Sequence, residues 1–265
     1  MGNSAARSGV HGSRDFPITH RVHHYRSLVQ QWAAFAREAG FRWKRFVTVG
    51  EHAIYFVDSG RARQAEEAIY ISAGMHGDEP VPPWALLEWA RENVKMLQKH
   101  PFLFFPCLNP HGLIMNTRLD RRGVDLNRSF NHPDDPLIAA WMKVMAGRKL
   151  RIGICLHEDY DAQGCYVYEL TQLPSAAHEI LSEVAKVLPI DTRRSIEGRK
   201  AKDGSIVIVR REPPDLPGHP EAFVLHLMGA PRTLTFETPS EFSLIDRIAA
   251  QKQFISAALR HGMDL

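Results

Sequence analysis

His76 and Glu79 stand three positions apart in the run AIYISAGMHGDEP, where an apolar segment is followed at once by two side chains that bind zinc well. A second apolar run, LRIGICLHED, ends close to His157. Two histidines and one carboxylate form a set that holds catalytic zinc while leaving a coordination position for water. These residue types therefore point to metal-assisted hydrolysis. Spacing alone is a weak signal, because a chain with 14 histidines and 30 acidic residues meets H-x-x-E about once by chance. Placement strengthens it. Ser72, Ala73, Gly74 and Gly77 are small residues at the end of a β-like run, and open α/β sheets bind ligands beyond the carboxyl ends of their strands. The alternative for His76 at this point is an ordinary turn histidine.

Strand ends of that kind require a sheet. AIYISAG, FLFFPCLNP, LRIGICLH, IVIVRR and TLTFETP are short apolar or β-branched runs suited to a buried central sheet, and CYVYEL is a further strand candidate. Helical patterns lie between them in VPPWALLEWARENVKML, PLIAAWMKVMAG and AAHEILSEVAKVL. Before them, HHYRSLVQQWAAFAREAG carries Leu28, Val29, Trp32, Phe35 and Ala36 at helical spacing, with Gly40 as its stop. FRWKRFVTVGEHAIYFVDSG reads as an edge hairpin around Gly50, and LIDRIAAQKQFISAALRHG as a final helix packed on the sheet. The fold class expected is α/β, a three-layer α/β/α domain with a mixed central β-sheet.

With 265 residues, 44% of them hydrophobic, the chain can bury one substantial core, and no internal stretch resembles a linker. Residues 1–20 read as a disordered lead-in without an apolar signal region, and 21–265 as a single catalytic domain. A net charge of +3 from 33 basic and 30 acidic residues is near balance, so no nucleic-acid partner is expected. No apolar run is long enough to span a membrane. Cys107, Cys155 and Cys165 form no CxxC pair, and two of them sit in apolar runs, which favours a reduced, cytoplasmic compartment.

The polar residues cluster after strand candidates. HGLIMNTRLDRRGVDLNRSF gathers Asn116, Arg118, Arg121, Arg122, Asn127 and Arg128, a supply of planar guanidinium groups that match carboxylates with two parallel bonds. Arg121 and Arg122, in an RRG turn, read as surface residues. Glu158, Asp159 and Asp161 read as a solvated acidic loop, with a subsite for a cationic group as the alternative.

Taken together, MHGDE, the Asn-Pro-x-Gly turn, NTRLD, GVDLNRSF, a histidine ending a strand and the late TLTFETPS resemble the zinc carboxypeptidase family over roughly Ala68 to Glu241. Within that family the chain looks closest to bacterial murein-peptide amidases and small carboxypeptidases. The resemblance implies that His76, Glu79 and His157 bind one zinc ion and that Glu237 is the general base. It further implies that Arg118 polarises the scissile carbonyl, and that Asn127 and Arg128 hold the substrate's free carboxylate. The expected activity is hydrolysis of an amide bond next to a free carboxylate, in a peptide or murein-like peptide. Its alternative is deacylation of N-acyl amino acids, as in the succinylglutamate desuccinylase and aspartoacylase branch. Two positions depart from the pattern. His111 stands where an acidic or amide side chain is commoner. No tyrosine lies between Glu169 and Glu237, so the family's lid tyrosine is absent or replaced, with His219 as a candidate.

Overall fold

Helix α1 (Tyr25–Ala39) buries Leu28, Trp32, Phe35 and Ala36 along one stripe and stops at Gly40, whose φ of 73° only glycine adopts without cost. In this computed structural model, residues 22–59, 67–208 and 218–262 are described. The expected lead-in 1–20 lies outside them. Strands β1 (Arg42–Val49) and β2 (His52–Asp58) then pair antiparallel around Gly50, as expected for an edge hairpin. After β3 (Ala68–Ser72) come α2 (Val81–Glu92), α3 (Val94–Lys99), β4 (Phe102–Phe105) and α4 (Pro110–Met115). The chain continues through α5 (Pro136–Met145), β5 (Leu150–Asp159), β6 (Tyr166–Thr171) and α6 (Ala177–Val184). A small separate hairpin, β7 (Ser195–Ile196) with β8 (Arg199–Lys200), precedes β9 (Ser205–Ile208). The last elements are α7 (Glu221–Leu227), β10 (Arg232–Pro239) and α8 (Leu244–His261).

The main sheet has eight strands in the order β1-β2-β4-β3-β5-β10-β6-β9. β3 runs parallel to β4 and β5, and β5 parallel to β10, whereas β6 runs antiparallel to β10. Alternation along the central strands explains the layering, because neighbouring residues point to opposite faces. Ile69 and Ile71 of β3 and Phe102 and Phe104 of β4 pack with α1, α2 and α8, while Tyr70, Leu103 and Phe105 pack with α5 and α7. The architecture is therefore the three-layer α/β/α arrangement with a mixed sheet.

The helical pattern VPPWALLEWARENVKML divides into two helices at Asn93. The Asn93 side chain donates to the Trp89 carbonyl at 2.8 Å, offering that carbonyl a partner outside the regular helix ladder. Helices α4 and α7 span six and seven residues, too short for the apolar periodicity that reveals longer ones.

Candidate active site

Beyond β3 the chain turns through Gly74, at φ 63°, and reaches His76. The next residue, Gly77, passes so close to α4 that a Cβ there would lie 1.8 Å from the Gly112 carbonyl carbon. A Cβ on Gly112 would in turn meet the Asn109 side-chain amide at 2.4 Å. Only glycine at both positions lets the histidine loop press on that helix. Asn109 caps α4 by accepting the Gly112 N–H at 2.9 Å, which gives the Asn-Pro-x-Gly turn its structural meaning. His111 takes no part in the cap.

Glu79 lies buried between the two histidines. Its Oε1 is 2.5 Å from His76 Nδ1 and its Oε2 is 2.9 Å from His157 Nδ1. One donor atom from each of the three residues falls within 4.8 Å of the others. His157 reaches this point on β5, the direct sheet neighbour of β3. Its carbonyl accepts from Gln251 Nε2 of α8 at 2.7 Å, which ties the strand end down. On the outer side, His76 Nε2 stands 3.2 Å from Asp125 Oδ1. A carboxylate on the far nitrogen sets the tautomer and ring orientation of a metal-binding imidazole. The donor set, its convergence and this outer support all fit a zinc ion.

Charge reinforces the geometry. Burial opposes protonation of His76, but Glu79, helped by Asp125, outweighs it and raises that imidazole to about 9. Burial likewise would raise Glu79, yet the two imidazoles hold its carboxyl at about 2. The pull that keeps protons on these imidazoles favours a divalent cation in their place, and its binding would release them.

An adjoining cleft is bounded by Arg118, Asn127, Arg128, Glu237, the β6 tyrosines Tyr166 and Tyr168, and the start of α7. Glu237 sits opposite His157 in the β5/β10 register and opposite Tyr166 in the β10/β6 register, so strand pairing alone brings it beside His157. Burial pushes its carboxyl well above the usual carboxylate range; His157 opposes this, and Glu79, Asp159 and Glu197 add to it. Arg118 gives Nε and Nη2 to Asp125 Oδ2 at 3.1 and 3.0 Å, while its Nη1 lies 3.9 Å from Glu79. Asn127 uses Oδ1 to accept the Glu221 peptide N–H at 3.0 Å, so a ligand could be met only by its Nδ2 donor. Arg128 bonds the Asn127 carbonyl at 2.9 Å and forms no carboxylate pair among the described residues.

All seven residues singled out from the sequence thus come together. Arg122 instead pairs with Asp120 and Asp135 at 2.6 and 2.5 Å, away from the cleft, consistent with a surface role. The expectation of a solvated acidic loop fails at Glu158, which belongs to β5 and is buried. Its carboxylate pairs with Arg247 at 2.6 Å and accepts the Val81 N–H at 2.9 Å, joining the strand of His157 to α2 and α8. Asp159 lines the cleft, and only Asp161 is exposed.

A family model, the succinylglutamate desuccinylase/aspartoacylase catalytic domain, matches residues 65–145. That span contains His76, Glu79, Arg118, Asn127 and Arg128 and stops short of His157 and Glu237. No match is found among curated protein sequences. Among solved structures, a candidate metallopeptidase from Shewanella denitrificans OS217 is similar at 20% identity and a TM-score of 0.79, covering 92% of each chain. A candidate metallopeptidase from Shewanella amazonensis SB2B gives 19% identity and a TM-score of 0.79, over 89% of this chain and 92% of the other. A metallo-carboxypeptidase from Burkholderia cenocepacia gives 16% and 0.64, over 88% of this chain and 68% of the other. This chain has a zinc carboxypeptidase-like fold.

Three features of the site were not legible in the sequence. Asp125 was visible inside GVDLNR, yet its bond to His76 depends on a fold-back from a distant loop. Tyr166 and Tyr168 face the cleft because they pair with Glu237 and Thr235 across β10, a register that periodicity cannot assign. Glu221 follows a proline and opens the short helix α7, whose seven residues give no clear periodic signal. As for the lid, His219 packs edge-on against Phe223 at 5.1 Å, beside the cleft wall rather than lining it.

Proposed function

We propose that this chain is a zinc-dependent metallohydrolase of the carboxypeptidase type, cleaving an amide bond next to a free carboxylate in a peptide or murein-like peptide. The observation that carries the reading is one cleft with the buried His76, Glu79 and His157 group, the partly buried Glu237 and the guanidinium of Arg128, which has no carboxylate partner among the described residues. Zinc, when bound by the three ligands, supplies Lewis acidity that lowers the pKa of water towards about 7. Glu237 accepts the proton of the attacking water at its carboxylate and returns it to the leaving nitrogen, the work of a general base that then acts as an acid. Its raised affinity for a proton, caused by burial, suits the second half of that exchange. Arg118 offers Nη1 to the scissile carbonyl oxygen, because Asp125 already engages the other edge of its guanidinium. Arg128 and the Nδ2 of Asn127 receive the substrate's carboxylate.

A second reading is favoured by the match of residues 65–145 to the succinylglutamate desuccinylase/aspartoacylase model. In that reading the same residues remove an acyl group from an N-acyl amino acid. A screen of C-terminally varied peptides, murein tripeptides and N-acyl amino acids separates the two. Turnover confined to N-acyl amino acids would favour the deacylase, and turnover of peptides the carboxypeptidase. A purified protein that neither holds nor takes up divalent metal would make the fold a non-catalytic binding module. The reading includes a cytoplasmic location with neither nucleic acid nor membrane as partner; among the described residues no helix is long and apolar enough to cross a membrane.

A further inference from the structure

One buried acid has no part in the steps above. Glu221 opens α7, is buried, and forms no ion pair among the described residues. A carboxyl in such a place is costly unless its oxygens are bonded. Here both are: one accepts the Tyr70 hydroxyl, and the other accepts Ser72 Oγ at 2.6 Å. Tyr70 is fixed in turn by Trp141, whose Nε1 donates to its hydroxyl at 2.9 Å.

The two donors belong to β3, and Ser72 is that strand's last residue before the loop carrying His76. The peptide N–H of the same Glu221 donates to Asn127 Oδ1 at 3.0 Å. One residue is therefore bonded through its side chain to the strand leading into the metal loop, and through its backbone to the asparagine beside Arg128. Neighbouring contacts reinforce the join. A Cβ on Gly218 would lie 2.0 Å from the Arg128 carbonyl oxygen, and Phe130 donates its N–H to the His219 carbonyl at 3.2 Å. Pro220, Ala222 and Phe223, on either side of Glu221, line the cleft. An apolar side chain would fill the same space, but it would not fix direction. Two acceptor oxygens facing two separate hydroxyls hold the start of α7 within hydrogen-bond tolerance.

We infer that Glu221 is a positioning residue that sets the distance between the metal ligands on the β3 side and the Asn127/Arg128 carboxylate anchor. The inference rests on the proposed reading that these two residues bind a free carboxylate. A substrate held at both its carboxylate and its scissile bond is sensitive to that distance, whereas an amidated substrate has no charged group for the anchor to hold.

The test compares kcat and KM on an N-acylated dipeptide and on its C-terminally amidated form, for wild type, Glu221→Ala and Glu221→Gln, with zinc content measured on every sample. Glu221→Ala is expected to keep its zinc and to lower the free-acid preference, the ratio of the two kcat/KM values, by about tenfold or more, mainly through KM for the free acid. Glu221→Gln keeps one acceptor oxygen and is expected to lower the ratio by about threefold. It decides the matter if the alanine variant does not fold. A zinc-loaded variant that retains the wild-type ratio would overturn the inference. If wild type itself showed no preference for the free acid, the anchor reading would fall and take this inference with it. A normal wild-type preference left intact by both substitutions would remove Glu221 alone.

Discussion

Glu237 and His157 are neighbours because β10 pairs with β5 in a parallel register that sets them side by side, so their proposed roles can be separated by substitution. Glu237→Gln preserves shape and removes the proton acceptor. The expected result is intact zinc binding with kcat reduced by roughly a hundredfold or more, read by steady-state kinetics on a verified substrate. A kcat within about threefold of wild type would make Glu237 structural. His157→Ala is expected to lose most of the bound zinc, because two remaining ligands compete poorly with water and buffer; elemental analysis of the purified variant checks it. Arg128→Lys replaces a two-pronged guanidinium by a point charge. The expected loss in kcat/KM on free-carboxylate substrates is about tenfold or more, in line with roughly 1.5 to 3 kcal/mol for a charged hydrogen bond. Zinc content should not change. The residue types and their local order were legible because chemistry restricts them to few choices. Asp125 and Glu221 were not, since their partners are His76, Tyr70 and Ser72, met only after folding.

Between elements, connecting segments aim the strand ends, and one of them carries a testable pH dependence. Asp191, after α6, is buried and accepts Arg193 Nη2 at 2.6 Å, together with the Arg193 and Gln163 backbone N–H groups at 2.9 and 3.2 Å. This segment leads to the β7/β8 hairpin, whose Glu197 accepts the Tyr168 hydroxyl at 2.5 Å on the cleft wall. Burial would raise the Asp191 pKa, but the Arg193 guanidinium and the backbone donors outweigh it and hold the carboxyl below its usual value. A depressed folded pKa contributes stability above the unfolded value of about 3.9, and that stability is lost as pH falls through the folded pKa. Asp191→Asn is therefore expected to destabilise by about 1 to 3 kcal/mol at neutral pH. The gap from wild type should narrow below about pH 4. Denaturant melts at both pH values check this, and a gap independent of pH would show that charge on Asp191 is not the cause. At this scale the longer elements were readable from apolar periodicity. The short α4 and α7 were not, nor was the break at Asn93, where a side-chain bond to Trp89 decides the outcome.

For the molecule as a whole, alternation along β3 and β4 feeds two separate apolar layers, and the sheet between them carries His76, Glu79, His157 and Glu237 to one end. The layered class followed from alternating strand and helix patterns. Strand order did not, because β3, β5 and β10 become neighbours only through crossovers whose placement no local pattern records. We propose that this convergence builds a zinc site that hydrolyses an amide beside a carboxylate. Its most direct test is to strip the purified protein with chelator and follow hydrolysis of an N-acylated dipeptide with a free carboxylate as zinc is returned. The expected result is no turnover without metal and recovery that saturates at one zinc per chain. Undiminished turnover by the stripped protein, or recovery in a His157→Ala variant at the same zinc concentration, would contradict it.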